Sequence, residues 1–266
     1  MRCQSHAQYY RHCPKDTALF EMEIKLKEPS ATILLSTARS GTNYFLAVYQ
    51  KCFPEDFVVR EIFRPAGDSF QELQELLGIN EDEAVRLANE EPSKLWKGVK
   101  AATQAENRSA IAKIFYYHQH PSRLIWSQIR DDDLVIHLIR RNPFDAYVSL
   151  KIATATNKWL DYGKDSGKSD NFSLRLDRDE VINYIQEQHD SIEEKRLFFR
   201  GANYREVFYE DVMGSPDACA AALCEIMGVE PPEKTIKVFI KKQKTKANSE
   251  IVLNYDVVND LDKNYF

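Results

Sequence analysis

The chain has 266 residues, 43% of them hydrophobic and 29% charged, and 36 basic against 41 acidic residues leave a net charge of −5. That composition predicts one sizeable α/β domain in preference to two small ones. It excludes a basic footprint for nucleic acid, so any anionic ligand has to be held by a local patch.

No window approaches the roughly 18 apolar residues of a membrane span. Residues 1–28 are polar and mixed, and they read as an N-terminal extension laid over a domain of residues 29–266. The extension has no apolar core, so it is not a secretory signal. Five cysteines, Cys3, Cys13, Cys52, Cys219 and Cys224, are odd in number and scattered. Reduced thiols in a cytoplasmic protein fit that pattern. Cys3 and Cys13 with His6 and His12 match no standard zinc spacing, and no metal is expected.

Ala31–Tyr49 opens with the apolar run Thr32-Ile33-Leu34-Leu35, turns through Ser36–Asn43 and resumes with Phe45, Leu46, Val48 and Tyr49. This predicts a buried strand, a tight loop and a helix. Phe57–Phe63 reads as the next extended segment. Ser69–Leu77 and Glu81–Asn89 have helical spacing, and Leu95–Ala101 (LWKGVKA) reads as a buried strand. Glu106–His120 and Ser122–Ile129 look helical, split at Pro121. Leu134–Ile139 is the clearest core strand, and Phe144–Thr156 follows it as a helix. Gly163–Asn171 is a loop, Glu180–Phe199 a long helix and Tyr204–Tyr209 a last strand. Asp217–Met227 is a helix ended by Gly228. The alternation predicts a parallel sheet of four or five strands with helices on both faces.

Two stretches carry anion chemistry. In Ser36–Asn43, Gly41 permits close backbone approach, Arg39 supplies charge, and Ser40 and Thr42 supply hydroxyls at a helix start. It is not the nucleotide-triphosphatase loop, which needs Lys after its last glycine where this chain has Thr42. In Val135–Leu150 a core strand delivers Arg140 and Arg141 to its carboxyl end, where open α/β sheets bind ligands. Ser149 lies two helical turns on, so an Arg and a Ser can share a second phosphate. A local ion pair of these arginines with Asp131–Asp133 is the plainer alternative.

Together STARSGTN and RNPFDAYVS resemble, in order, the 5′-phosphosulfate loop and the 3′-phosphate motif of sulfotransferases. These enzymes use 3′-phosphoadenosine 5′-phosphosulfate (PAPS). SLKIATATNKW is similar to a stretch of the bacterial trehalose-type branch, and VFYEDV resembles the family's strand ending Y-E-D. The resemblance implies a single P-loop-like domain with a central parallel sheet, and PAPS as co-substrate with 3′-phosphoadenosine 5′-phosphate (PAP) as product.

By that resemblance Arg39, Ser40, Gly41, Thr42 and Asn43 bind the 5′ end of the donor, and Arg39 is also catalytic, neutralising charge on the bridging oxygen. Arg141 and Ser149 hold its 3′-phosphate, and Tyr209 lies near the adenine. Lys241-Lys242-Gln243-Lys244, in a basic run ending at Lys246, sits where other members carry a phosphate clasp. The glycine of that clasp is missing, and a solvated basic face is the alternative. The cytosolic enzymes use a His two residues after a Lys. LWKGVKAA puts Lys100 at that Lys but Ala102 at the His. VVREIFRP instead supplies Glu61 as the base of the trehalose-type enzymes, flanked by Val58, Val59, Ile62 and Phe63. A salt bridge of Glu61 with Arg60 or Arg64 is the structural alternative. Lys100 then stabilises the transferring group.

His137 reads as a core histidine, while His118 and His120 stay open as alternative bases. Phe63 and Trp159 are candidates for the acceptor wall, with Gly163–Asn171 as a lid. The expected acceptor is a small-molecule hydroxyl, on a sugar or a specialised metabolite, and a homodimer through Trp159 and the aromatic tail stays open. A P-loop-like kinase and a non-catalytic nucleotide-binding module are the competing classes.

Overall fold

The computed structural model describes residues 30–64, 70–118, 123–159, 172–240 and 246–266. The expectations for the 1–28 extension, His120, the Gly163–Asn171 loop and Lys241–Lys244 lie outside the described residues, as does the side chain of His118.

In chain order the elements begin β1 (Thr32–Ser36), α1 (Thr42–Cys52), β2 (Phe57–Val59), α2 (Phe70–Leu77) and α3 (Glu81–Glu90). There follow α4 (Pro92–Ala105), β3 (Ala110–Phe115), α5 (Arg123–Asp132), β4 (Leu134–Ile139) and α6 (Pro143–Thr156). The chain continues with α7 (Arg178–Phe198), β5 (Tyr204–Phe208), α8 (Tyr209–Val212) and α9 (Pro216–Met227), then short turns α10 (Asn248–Ile251) and α11 (Tyr255–Val258).

The five strands form one parallel sheet in the order β2-β3-β1-β4-β5. β1, β3 and β4 are buried along their whole length, which is why they read as near-continuous apolar runs. One face packs against α2–α5 through Leu73, Leu87, Leu95, Trp96 and Ile129. The other packs against α1 and α9 through Phe45, Leu46, Tyr49, Cys219 and Leu223. A third apolar cluster joins α6 and α7 through Phe144, Val148, Val181 and Ile185. From the central strand β1 the chain runs first to β2 at one edge and later to β4 on the other side. The strand order therefore reverses between β1 and β4, and the carboxyl ends of those strands open the crevice where such sheets take ligands.

The structure overturns two expectations. Leu95–Ala101 is not a strand but the middle of α4. Pro92 sits in its first turn, and Leu95, Trp96, Val99 and Thr103 are buried on one helical face. A seven-residue window hid that longer period. The strand instead lies in Ala110–Phe115, inside the stretch expected to be helical. Its apolar run is interrupted by Lys113, which is fully buried. Elsewhere the boundaries agree within a few residues, and Gly228 ends α9 with φ 68°. Among the described residues no helix is long and apolar enough to cross a membrane.

Candidate functional site

β1 ends at Ser36, whose hydroxyl donates to the Leu138 carbonyl at 2.6 Å and ties β1 to β4. The chain then turns with Arg39 at φ 67° and Gly41 at φ 77°. Left-handed backbone suits glycine but strains arginine, and such strain gathers at functional sites. Gly41 has a second reason to be glycine. A Cβ there would lie 2.8 Å from a ring carbon of Tyr209 and 2.9 Å from the Met213 sulfur. α1 then starts with no side-chain cap and no acidic residue in its first turn. Its leading N–H groups and dipole are left to attract an anion.

Two guanidiniums flank this turn. Arg140 leaves β4 buried, donates from Nη1 to the Arg39 carbonyl at 2.6 Å, pairs with Asp145 and stacks 4.4 Å from the Tyr209 ring. Arg39 donates from Nε to the Ser149 hydroxyl at 3.1 Å and from Nη1 to the Trp159 carbonyl at 2.8 Å. Burial holds both below the ordinary guanidinium pKa, and for Arg39 the charge of Arg140 acts in the same direction. Among the described residues, three buried polar atoms around the turn find no hydrogen-bond partner: Ser40 Oγ, Arg140 Nε and the Tyr184 hydroxyl. Unmet hydrogen-bonding groups and desolvated positive charge in one crevice call for an anion with several oxygens.

A second cluster adjoins the start of α1. Glu61 follows β2 in a left-handed conformation, φ 59°. Its carboxylate receives Lys113 Nζ at 3.1 Å and Arg64 Nη1 at 2.9 Å. Lys113 also donates to the Asn43 side-chain oxygen at 3.1 Å and lies 4.8 Å from the Phe115 ring. A carboxylate is thereby linked through one buried lysine to the anion turn.

Of the residues singled out from sequence, the structure gathers Arg39, Ser40, Gly41, Thr42, Asn43, Glu61, Ser149 and Tyr209 around this crevice. Trp159 joins through its carbonyl, with its side chain exposed. Arg141, Phe63 and Lys100 have other surroundings. Arg141 does not meet Ser149. It forms a two-pronged pair with Asp211 at 2.5 and 2.8 Å, 4.0 Å from the Phe208 ring, while Glu210 accepts its backbone N–H. Phe63 is nearly buried, in an apolar cluster with Ile62 and Leu73.

Lys100 is the clearest correction. It donates to Ser30 at 3.0 Å and Asp133 at 2.9 Å, residues that precede β1 and β4. It therefore lies at the amino end of the sheet, opposite the anion turn, because its segment is helix. The lysine that the sheet does bring beside the turn is Lys113 of β3, bonded to Asn43 and Glu61. The arginines do not pair with Asp131–Asp133 either, since Arg140 takes Asp145 and Arg141 takes Asp211.

Sequence reasoning missed Lys113 and Tyr184 and gave Arg140 no separate role. A lysine amid Ala110–Phe115 was a usable signal, since a charge inside an apolar run needs a partner. Nothing in the pattern of α7 marks Tyr184.

No protein-family model matches the sequence. Nodulation protein H of Rhizobium tropici is 24% identical over 122 residues, which are 46% of this chain and 48% of that protein. The chain therefore spans about half the length of the curated relative it matches. Among solved structures, a sulfotransferase domain from the curacin biosynthetic pathway superposes with a TM-score of 0.49 at 14% identity, over 84% of this chain and 83% of that one. A sulfotransferase from Alicyclobacillus acidocaldarius gives 0.47 at 12% identity, over 88% and 92%.

Proposed function

We propose that the protein is a sulfotransferase that moves the sulfuryl group of PAPS onto a hydroxyl of a small-molecule acceptor, a sugar or a specialised metabolite. The observation that carries this is the uncapped start of α1 beside two buried guanidiniums, with buried polar atoms left unmet around it. The motif order adds the identity of the anion, because the loop has Arg39 where a triphosphatase loop has no cation and Thr42 where that loop needs Lys.

The residues present fit such a donor. Arg39, Ser40 and the backbone of Gly41–Asn43 would bind its phosphosulfate, with Arg140 completing the cradle. Arg141 and Ser149 would take the 3′-phosphate, Arg141 exchanging Asp211 for it and Ser149 exchanging Arg39. Tyr209, fixed against Gly41, would border the nucleotide.

In the reaction the acceptor oxygen forms a bond to sulfur as the bond from sulfur to the bridging phosphate oxygen breaks, in line. The acceptor proton passes to Glu61, and the electron pair leaves on PAP. Lys113 and Arg39 oppose the negative charge that grows on the transferring and leaving oxygens.

The test is calorimetric titration of the full chain with PAP and, separately, with ATP. Micromolar PAP binding, about −8 kcal/mol, is expected. Binding of ATP with none of PAP would overturn the proposal and favour a kinase.

A further inference from the structure

Tyr184 reaches the anion crevice from α7, an element on which no motif falls. Its ring packs at 5.0 Å from that of Tyr147 on α6, which fixes its direction. Its hydroxyl lies beside the Thr37 side chain, which can donate to its oxygen, and within electrostatic range of Arg39 and Arg140, while its own proton finds no acceptor among the described residues. Phenylalanine would serve the packing equally well. A hydroxyl proton buried without an acceptor loses its water and gains nothing in return unless a ligand supplies the acceptor.

Its other neighbours say which part of the ligand. Tyr117 lies within electrostatic range of Tyr184, and Glu61 and Arg64 lie within that of Tyr117. Tyr184 thus stands between the phosphosulfate turn, at Thr37 and Arg140, and the side of the crevice that holds the proposed base. In the reaction proposed above, the group that would occupy that junction is the sulfuryl group, between the donor turn and the base.

Resting on the sulfotransferase assignment above, we propose that the Tyr184 hydroxyl is a ligand of the sulfuryl group, donating to one of its non-bridging oxygens in the bound donor and during transfer. Burial raises the phenol far above its ordinary pKa, so it stays a donor throughout the neutral range. It moves no proton. The acceptor's proton still goes to Glu61, and the tyrosine only holds an oxygen whose charge changes.

PAPS and PAP differ by this one group, so the pair isolates the contact without an acceptor. In the full chain carrying Tyr184→Phe, PAPS affinity should fall about tenfold while PAP affinity stays within about twofold of wild type. The melting temperature should be unchanged or higher, since an unmet hydroxyl is removed. Tyr184→Met, which drops the ring as well, should lose the same PAPS affinity. Unchanged PAPS affinity would overturn the inference. So would an equal loss for both nucleotides, which would assign the hydroxyl to the nucleotide or to the fold. Wild type that binds neither nucleotide would instead bring down the sulfotransferase assignment itself, and this inference with it.

Discussion

The buried guanidinium of Arg140 donates to the main-chain carbonyl of Arg39 at 2.6 Å, so the side chain at the end of β4 holds the backbone of the turn that leaves β1. The contact spans the point where the strand order reverses, and it props up the left-handed residue of the turn. Arg140→Lys keeps a charge but loses the planar fork that serves Arg39, Asp145 and the Tyr209 ring together. It should weaken PAP binding at least tenfold.

Arg141 makes a different prediction because it is already paired. If it exchanges Asp211 for a phosphate, Asp211→Asn should tighten PAP binding about threefold by removing the competitor. Arg141→Ala should weaken it about ten- to hundredfold, the loss of a charge-assisted pair. Calorimetry on both variants decides it, and unchanged affinity in the two would leave Arg141 a purely structural partner of Asp211.

Gly41 is constrained twice, by φ 77° and by the Tyr209 ring and Met213 sulfur. Gly41→Ala should cost about 2–4 kcal/mol, of which about 1 is backbone strain and the rest displacement of the ring. Adding Tyr209→Ala removes much of the clash but none of the strain. A double-mutant cycle by urea unfolding should therefore show strong coupling. Additive losses would mean that the ring yields without cost.

The anion turn and core strand β4 were legible because their signals are local. A loop with Gly and Arg between a strand and a helix, and an unbroken apolar run, both fit in a short window. What failed was judged in too narrow a frame. Trp96 and Val99 belong to a helix whose face needs Pro92 and Thr103, outside that window, to be seen. Lys113 hides a strand because its charge is balanced by Glu61, about fifty residues away in sequence and invisible to any window. Tyr184 and Asp211 matter only through tertiary neighbours, which no spacing encodes.

Lys100 separates the two frames experimentally. Lys100→Met leaves the Asp133 carboxylate buried with Trp96 and Ser30 as its remaining donors, at 2.7 and 2.8 Å. Losing one member of a buried pair should cost about 3–5 kcal/mol in urea unfolding. PAP affinity should not change, because the pair sits at the far end of the sheet. A large loss of affinity with normal stability would return Lys100 to the site.

Glu61 carries the opposite expectation. Glu61→Gln preserves shape and the contact to Lys113 but cannot take up a proton, so transfer should slow about a hundredfold or more with PAP affinity held within threefold. The readout is PAP release from PAPS in the presence of an acceptor found by screening hydroxyl compounds. Retained turnover would reduce Glu61 to a partner for Lys113 and Arg64.

His137 offers a test of the core that does not depend on function. It lies in the middle of β4, fully buried, with Tyr116 on Nε2 and Tyr204 on Nδ1. Tyr204 donates its own proton to Glu206 at 2.8 Å, so its oxygen accepts from Nδ1–H, and Tyr116 donates to Nε2. The neutral ring satisfies both contacts, whereas a second ring proton would point at a hydroxyl already oriented as a donor. Burial lowers the pKa from 6.5 to about 3. With the folded value depressed, the unfolded chain takes up the proton first as pH falls. Stability is full above about 6.5 and drains away down to about 3. Between pH 7 and 5 this one group should remove about 2 kcal/mol. Urea unfolding at the two pH values, on wild type and on His137→Gln, isolates it, because the other acidic groups act in both. The variant should lose about 2 kcal/mol less than wild type over that interval, and equal losses would mean the ring is not held neutral by the fold.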